Sequence, residues 1–509
     1  MKQLSGTDSY FLYGERGNSF LHVATLAIYD PASAPGGKVR FRDVLKHFRE
    51  RLQVSPLLTH RLAEVPYGLD RAYWVEDPDV DIEFHVRHIA LPQPSDLRQL
   101  MIQVARIHSR PLDRSHPLWE AYVIEGLDRI PGLAPGAFAV FTKFHHASVD
   151  GMAAVRVFRD LHSSTPRGRP PRRTARPAAA PAVTEAALDA SVLAHGIERF
   201  ITLSKLSAVA AGRVVRIVAG EVKRRLHADA PGQDGPSVRA TFRKAPATRF
   251  NAPISANRVV TAVEIPLAAM QPARAAVDGA TVNDIFLAVA SGALRRYLAS
   301  RHELPKRSLV GGMPISLRSD AGAGGNAATA VPVELCTDVA DPLARLSAVC
   351  RATREAKRNA EAMGLDFTPA LIDAMPTAVT DLVVRGVALP GLNVAVSNVR
   401  GPDAPLYLAG ARLARLYPVS AIADGQGLNL TAVSYDGVLA LSAVACRDML
   451  PDPGFFADCL RESFVELTAA AEAMAAGALI AEQPKGDAAP AAQRTTRKRR
   501  PAAAPARGT

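Results

Sequence analysis

The most informative part of the chain is residues 138–161, FAVFTKFHHASVDGMAAVRVFRDL. Along its first seven positions, apolar residues alternate between two faces, which predicts a half-buried or central β-strand. Its last ten positions have apolar residues at helical spacing, so we expect a helix there. The connection between the two contains His145, His146, Asp150 and Gly151. This places four chemically distinctive residues where a strand ends.

The two adjacent histidines can carry acid–base chemistry. Imidazole has a reference pKa of about 6.5, so it can accept a proton from a hydroxyl or a thiol near neutral pH. Because side chains alternate along a strand, His145 continues the face of Lys143 and His146 shares the face of Phe144. We expect one histidine to face the reactants and the other to support the fold. The alternative is that both are structural.

The length of 509 residues exceeds what one hydrophobic core usually serves, so we expect two domains. Two low-complexity stretches, residues 166–181 and 484–509, divide the chain. Strand and helix signals alternate in both halves, which predicts a mixed α/β or α+β fold. The predicted parts are a domain at 1–162, a Pro/Arg-rich linker with a helical connector at 163–250, a second domain at 251–481, and a disordered basic tail at 482–509.

Three further elements can be predicted from local patterns. Residues 428–435 and 438–446 flank Asp436-Gly437, which indicates a two-residue hairpin turn. Residues 282–298 have helical apolar spacing. Residues 185–226 are predicted to be helical, as a bridge between the domains or, alternatively, as a membrane-surface helix.

The net charge of +12 is concentrated in two segments. Residues 165–184 contain five arginines and no acid, and residues 482–509 contain seven basic and two acidic residues. The remainder therefore carries only about +2, whereas a nucleic-acid-binding domain has its basic footprint on the fold. Nucleic acid is thus not predicted as a partner. The two segments are interpreted as solvated, with weak attraction to anionic lipid as the alternative.

The sequence shows no sign of export or of a membrane span. The first eight residues lack the apolar stretch of a secretory signal, and the longest run without a charged residue, 386–399, is too short to cross a bilayer. The four cysteines form no CxxC pair, so they are expected to be reduced thiols. We therefore expect a cytoplasmic protein.

The motif HHxxxDG between a strand and a helix resembles the CoA-dependent acyltransferase superfamily, which includes chloramphenicol acetyltransferase and peptide-synthetase condensation domains. The whole chain is most similar to the bacterial wax ester synthase/diacylglycerol acyltransferase family. The resemblance covers about residues 1–480 in family order: LSGTDSYFL at 4–12, the PLW motif at 117–119, Asn283-Asp284, MPISLR at 313–318, Gly325-Asn326, and SNVRGP at 397–402. One departure is Arg400, where the family usually has proline; the Arg-rich connector and basic tail are others.

The resemblance implies two chloramphenicol-acetyltransferase-like domains and a direct transfer of a long-chain acyl group from acyl-CoA to diacylglycerol or a long-chain alcohol. His146 would be the general base, His145 would orient it, and Asp150 would form a structural ion pair, for which Arg61 is a candidate partner. Asp150 could equally cap the following helix, and Gly151 would permit the tight turn.

The resemblance also suggests other site residues. Asn283 has an amide that could stabilise an oxyanion, although Asn283-Asp284 could instead be the N-cap of its helix. Gly151, Trp119, Ser397 and Asn398 are the expected substrate contacts, with Trp119 a core or tunnel wall rather than a catalyst. Acyl-CoA is the substrate, and no separate cofactor is expected. Because both substrates are apolar, we expect peripheral association with the inner face of the membrane or with lipid bodies.

Other functions fit less well. His145 and Asp150 also match HxxxxD of glycerol-phosphate acyltransferases, but the chain lacks EGTR; it also lacks GxSxG of serine hydrolases. Residues 322–327 fit GxGxxA, yet the residues after them look extended where a dinucleotide fold requires a helix. Zinc is not expected, because adjacent histidines lack helix-face ligand spacing. The remaining alternative is a non-catalytic lipid carrier or condensation-like protein with the same two-domain cleft.

Overall fold

The computed structural model describes residues 2–65, 70–149, 151–168, 195, 199, 202, 245–316, 328–362, 373–375, 391–482 and 508. Its N-terminal half contains β1 (Lys2–Gln3), α1 (Gly6–Tyr13), β2 (His22–Asp30), α2 (Phe41–Arg51), β3 (His60–Ala63), β4 (Tyr73–Glu76), α3 (Ile82–His85), β5 (Val86–Ala90), α4 (Leu97–His108), β6 (Trp119–Glu125), β7 (Phe138–His145) and α5 (Gly151–Asp160).

The C-terminal half follows with β8 (Arg258–Pro266), α6 (Gln271–Ala276), α7 (Val282–Ser300), β9 (Val310–Ser316), β10 (Ala328–Glu334), α8 (Pro342–Ala362), β11 (Val394–Arg400), β12 (Tyr407–Leu408), β13 (Ala411–Val419), β14 (Leu428–Tyr435), β15 (Val438–Cys446) and α9 (Pro453–Glu482). Short 3-10 turns lie at Pro31–Ser33, Pro35–Gly37, Leu52–Val54, Pro56–Leu58, Arg249–Asn251 and Leu267–Met270.

Two six-stranded mixed sheets organise the described residues, which confirms the predicted fold class. The first has the order β12-β13-β2-β7-β6-β5 and the second β10-β9-β11-β14-β15-β8, with β1, β4 and β3 forming a small third sheet. Most strand pairs in each large sheet are antiparallel, but β5 is parallel to β6 in the first sheet and β11 is parallel to β14 in the second. In the second half, α9 and α8 pack on the buried helix α7.

The two halves share a sheet, which the sequence did not indicate. Strands β12 and β13 come from the C-terminal half but extend the N-terminal sheet, where β13 pairs antiparallel with β2. The segment before β2 adds polar contacts: the Asn18 amide donates to the Ile254 carbonyl at 3.1 Å, and the Asp424 N–H donates to Ser19 Oγ at 3.3 Å. The segment that leads into β2 therefore has contacts with both halves of the chain.

The predicted strand at residues 138–144 is confirmed as the central strand β7. All eight of its residues are buried, including Lys143. The Lys143 ammonium donates to the carbonyls of Ile107 and Arg110 at 3.3 and 3.0 Å, and lies 3.4 Å from Glu120. A charged residue can occupy the core here because its donors are satisfied.

Other local predictions are also confirmed. Strands β14 and β15 form the expected hairpin, in which both Asp436 and Gly437 have positive φ, as a type I′ turn requires. Residues 328–334 form strand β10, which supports the rejection of a dinucleotide fold. Residues 322–327 themselves, and residues 185–226 apart from the helical His195, Arg199 and Thr202, lie outside the described residues. Within the part of the chain that is described, no helix is long and apolar enough to cross a membrane.

Two buried histidines in the N-terminal half each have a neutral tautomer fixed by hydrogen bonds. His47 donates through Nε2 to the Leu161 carbonyl at 2.7 Å and accepts the Ala409 N–H through Nδ1 at 3.1 Å. His162 accepts the Tyr29 hydroxyl through Nε2 at 2.6 Å and donates through Nδ1 to Phe158. Burial lowers the pKa of His47 to about 3 and the pKa of His162 to about 4. Protonation of either ring would break the hydrogen bond that it accepts.

We predict that the free energy of unfolding falls as the pH is lowered from 6.5 towards 4. The folded-state pKa of each histidine lies below its unfolded value of about 6.5, so the unfolded chain binds more protons in this window. Each histidine should contribute a slope of about 1.4 kcal/mol per pH unit, and the full stability should be present above pH 6.5. Urea unfolding can be followed by the fluorescence of Trp74 and Trp119, both in this half.

His47→Gln should destabilise the protein, but it should also reduce this slope by about 1.4 kcal/mol per pH unit, because one proton fewer is taken up on unfolding. His302→Asn is the control, because His302 is exposed and asparagine tolerates its positive φ. The prediction is wrong if the free energy of unfolding of His47→Gln depends on pH as steeply as that of the parent chain and of His302→Asn.

Candidate active site

The two histidines of the motif lie at the end of β7, where the chain turns. The His145 N–H donates to the Leu118 carbonyl at 3.0 Å, and the His146 N–H donates to the Leu21 carbonyl at 2.8 Å. The turn is closed by Ser148, whose N–H and hydroxyl both donate to the His145 carbonyl, at 3.0 and 2.7 Å. The backbone on both sides of His146 is therefore fixed.

The His145 side chain is buried and has a defined tautomer. Its Nδ1 accepts the Ala147 N–H at 3.0 Å, so the proton of the neutral ring must be on Nε2. Nε2 lies 3.1 Å from Oε1 of Glu15, in a bent contact. The ring is therefore held between Ala147 and Glu15, and its orienting role stays a prediction.

Glu15 is the centre of a group of polar side chains that we call the Glu15 cluster: Glu15, His22, His145 and the partly exposed Arg114. Oε1 of Glu15 accepts the Leu21 N–H at 2.9 Å and lies 3.2 Å from Nε2 of His22, while Oε2 lies 3.1 Å from Arg114. Burial alone would raise the pKa of Glu15, but the two imidazoles outweigh it and lower this pKa below its usual range. Burial lowers the pKa of His22 to about 4.

Neither Glu15 nor His22 was predicted from the sequence as a site residue. The opening motif ends at residue 12, three positions before Glu15, and His22 has no neighbour in sequence that marks it. Glu15 and His145 are 130 positions apart in the chain, so the antiparallel pairing of β2 with β7, in which His22 is opposite His145, is what brings the cluster together.

The His146 ring is half-buried and stacks on Phe11. The ring centroids are 3.9 Å apart and the planes are within 9° of parallel. Phe11 belongs to α1, whose N-cap is Ser5, with its hydroxyl accepting the Asp8 N–H at 3.0 Å. The opening motif at residues 4–12 thus forms the helix that supports one face of His146.

The remaining N-terminal site predictions have mixed outcomes. Asp150 lies outside the described residues, so its pairing with Arg61, a half-buried residue of β3, stays a prediction. Gly151 is the first residue of α5, and its expected contact with the substrate stays a prediction. Trp119 is fully buried, donates through Nε1 to the Leu58 carbonyl at 3.1 Å and stacks on Phe48, which favours the core alternative over a substrate contact.

Asn283 is not the N-cap of its helix, so that alternative is wrong. The N-cap of α7 is Thr281, which forms a capping box with Asp284. The Asn283 amide instead donates to the Met313 thioether at 3.8 Å, and sulfur is a weak acceptor. Since Met313 belongs to β9, the neighbour of β11, Asn283 of helix α7 contacts the sheet that contains Ser397 and Asn398.

Ser397 and Asn398 are half-buried residues of β11, opposite Thr431 and Ala432 of β14. The Arg400 side chain is 80% exposed and pairs with Asp403 at 2.7 Å. Gly401 is required where it stands, because a Cβ there would lie 2.3 Å from the Ser434 carbonyl oxygen. Arg400 therefore adds an ion pair at the surface. The close approach of the backbone at Gly401 to β14 does not depend on it.

The Glu15 cluster has the residue types of a metal site but not the protonation state. Ligand atoms of Glu15, His22 and His145 lie within 4.8 Å of one another. A metal on Nε2 of His145 would require that nitrogen to be deprotonated, whereas the Ala147 N–H already needs the lone pair on Nδ1. The arrangement therefore fits a carboxylate that receives N–H groups better than it fits a metal site.

We predict that zinc does not stabilise this protein at the Glu15 cluster. Protein treated with EDTA and then given excess zinc sulfate should keep its thermal midpoint. A ligand at 100 times its Kd would add about 2.7 kcal/mol to the free energy of unfolding and raise the midpoint by several degrees. A rise that disappears in His22→Gln would contradict this prediction.

The comparisons with known proteins agree across sequence and structure. The family model "Wax ester synthase/diacylglycerol acyltransferase catalytic domain" matches residues 4–286, and "WS/DGAT C-terminal domain" matches residues 324–468. A Mycobacterium tuberculosis protein named a diacylglycerol O-acyltransferase is 33% identical over 474 residues, covering 89% of this chain and 95% of that protein. A second protein of that name from the same organism is 31% identical over 479 residues, covering 92% and 90%.

Among solved structures, the wax ester synthase/diacylglycerol acyltransferase from Marinobacter aquaeolei has a TM-score of 0.62 and 28% identity, covering 92% of this chain and all of that one. The first condensation domain of the calcium-dependent antibiotic synthetase has a TM-score of 0.54 and 14% identity, covering 92% and 96%. The second similarity concerns the fold alone.

Proposed function

The chain belongs to the wax ester synthase/diacylglycerol acyltransferase family and is an O-acyltransferase, and on that premise we propose its substrates and mechanism. It transfers a long-chain acyl group from acyl-CoA to the hydroxyl of diacylglycerol or of a long-chain alcohol. The products are triacylglycerol or wax ester. The observation that carries this proposal is the half-buried His146 ring, fixed at the end of β7 and stacked on Phe11.

In the proposed mechanism, His146 is the general base. Its imidazole takes the proton of the acceptor hydroxyl as the oxygen attacks the thioester carbonyl carbon. The tetrahedral intermediate then collapses, the carbon–sulfur bond breaks, and the leaving CoA thiolate takes the proton from the imidazolium. No bond to the enzyme is formed, and no cofactor is needed apart from the substrate acyl-CoA. A positioned base contributes roughly 10²- to 10⁴-fold to the rate.

The division of labour between the two histidines supports this assignment. His145 is buried with both ring nitrogens already in contact with Ala147 and Glu15, so it is unsuited to bind a substrate. His146 is the more exposed of the two. His146 is the first residue of the turn that follows β7.

We also propose that Asn283 stabilises the oxyanion of the intermediate. Its amide contacts a thioether, the weakest of its possible acceptors, so a substrate oxygen could replace that partner at little cost. A preorganised donor of this kind contributes roughly 10²- to 10³-fold to the rate of acyl transfer. Asp150 and Gly151 remain proposed as the structural residues of the turn.

We predict that His146→Ala lowers the rate of acyl transfer by at least about 100-fold, because the variant has no base. Release of free thiol from palmitoyl-CoA would be measured with diolein and, separately, with hexadecanol as acceptor. His302→Asn serves as the control and should keep the parent rate. A non-catalytic lipid carrier would release no thiol in any variant, and a His146→Ala variant with the full rate would show that the base is another group.

Peripheral association with a lipid surface is a further part of the proposal, because both acceptors are lipids. We predict cosedimentation with vesicles of anionic lipid that weakens as salt is raised, if the Arg-rich residues 165–184 and the basic tail take part. Vesicles of neutral lipid give the matched control. Binding that does not depend on salt would leave these two segments without a role in lipid binding.

A further inference from the structure

Resting on the function proposed above, we infer that Glu15 is a positioning residue for His146. Glu15 does not contact the substrates in this proposal. It acts through three separate paths of contacts, which end on the backbone N–H of His146, on the amide of Ala147 and on helix α1, which carries Phe11. These paths run through Leu21, through His145 and through helix α1.

The first path fixes the backbone of His146. Oε1 of Glu15 accepts the Leu21 N–H at 2.9 Å, and the Leu21 carbonyl accepts the His146 N–H at 2.8 Å. Leu21 immediately precedes β2, the neighbour of β7, so it is the residue that completes the sheet beside the turn. The carboxylate thereby sets where the main chain of His146 lies.

The second path fixes the turn that follows. Oε1 lies 3.1 Å from Nε2 of His145, and Nδ1 of the same ring accepts the Ala147 N–H at 3.0 Å. The carboxylate favours the tautomer with the proton on Nε2, which leaves Nδ1 free of hydrogen for Ala147. The two neighbours of His146 in the chain, His145 and Ala147, are thus both positioned by contacts that begin at Glu15.

The third path fixes the ring that stacks on His146. Oε2 of Glu15 lies 3.1 Å from a guanidinium nitrogen of Arg114, and the same nitrogen donates to the Leu12 carbonyl at 3.2 Å. Leu12 adjoins Phe11 near the end of α1, so this pair anchors the helix that presents the Phe11 ring.

A charged carboxylate suits this position better than a neutral amide. Oε1 accepts the Leu21 N–H and lies 3.1 and 3.2 Å from Nε2 of His145 and of His22, while Oε2 accepts an N–H of Arg114. Glutamine would keep one acceptor oxygen and place an NH₂ group against one set of these donors. The side chain is only 9% exposed, so water cannot readily compensate.

The test is Glu15→Gln, compared with the matched control Glu120→Gln. The Glu120 side chain is 8% exposed and contacts Lys143, Arg87 and Tyr122. We expect Glu15→Gln to lower kcat by roughly 10- to 100-fold with the KM for palmitoyl-CoA unchanged, since misplacing a catalytic group by about 1 Å costs up to about 100-fold. Glu120→Gln should lower the thermal midpoint to a similar extent and keep the parent kcat.

The second readout is the double variant Glu15→Gln/His146→Ala. If Glu15 acts through His146, the double variant should be as slow as His146→Ala alone. A Glu15→Gln variant with the parent kcat, or an equal loss of rate with and without His146, would overturn the inference. Full activity of His146→Ala alone would instead show that the proposed base is wrong.

Arg114→Gln provides the same test if Glu15→Gln does not fold. The Arg114 side chain is 39% exposed, and its loss interrupts only the third path. We expect kcat to fall by roughly 3- to 10-fold in the parent and not at all in the His146→Ala background. An unchanged kcat in the parent, or an equal loss in both backgrounds, would count against the inference.

Discussion

A buried carboxylate that must be surrounded by N–H donors is the constraint on which the rest of the candidate site depends. Glu15 draws an amide, two imidazoles and a guanidinium to its two oxygens. An ionised group is costly to bury unless such partners are in place, so the elements that supply them have little freedom. Those elements are α1, the start of β2, the end of β7 and the segment before β6. Two of them contact His146 directly, through the Leu21 carbonyl and the Phe11 ring.

Two strands of the C-terminal half, β12 and β13, extend the N-terminal sheet and support this arrangement. Because β13 of the C-terminal half pairs along β2, the strand that begins at His22 is supported on one side by β7 and on the other by the second half of the chain. His108 adds a contact across the same boundary, with Nε2 3.2 Å from the Ser420 carbonyl oxygen. Motion of one half against the other would therefore disturb β2, and with it the Glu15 cluster.

The local elements of the fold could be predicted because their signals lie within a few residues of one another. The alternation in β7, the Asp436-Gly437 turn and the periodicity of α7 are of this kind, and all three are confirmed. The roles of single residues were harder to predict, because they depend on neighbours that are distant in sequence. The helix-cap alternative for Asn283 is wrong because Thr281 takes that position. Trp119 was expected to be a core or tunnel-wall residue, and its burial depends on Phe48 and His85, which are distant in sequence.

The sequence by itself determined the family, the mixed α/β class and the pair of histidines at a strand end, because short motifs in a fixed order carry that information. Only the tertiary structure decided which partners those histidines have. Glu15, His22 and Arg114 are each unremarkable in the sequence, and they become a cluster through the pairing of β2 with β7. A contact between residues more than a hundred positions apart depends on strand order and register, which no local pattern records.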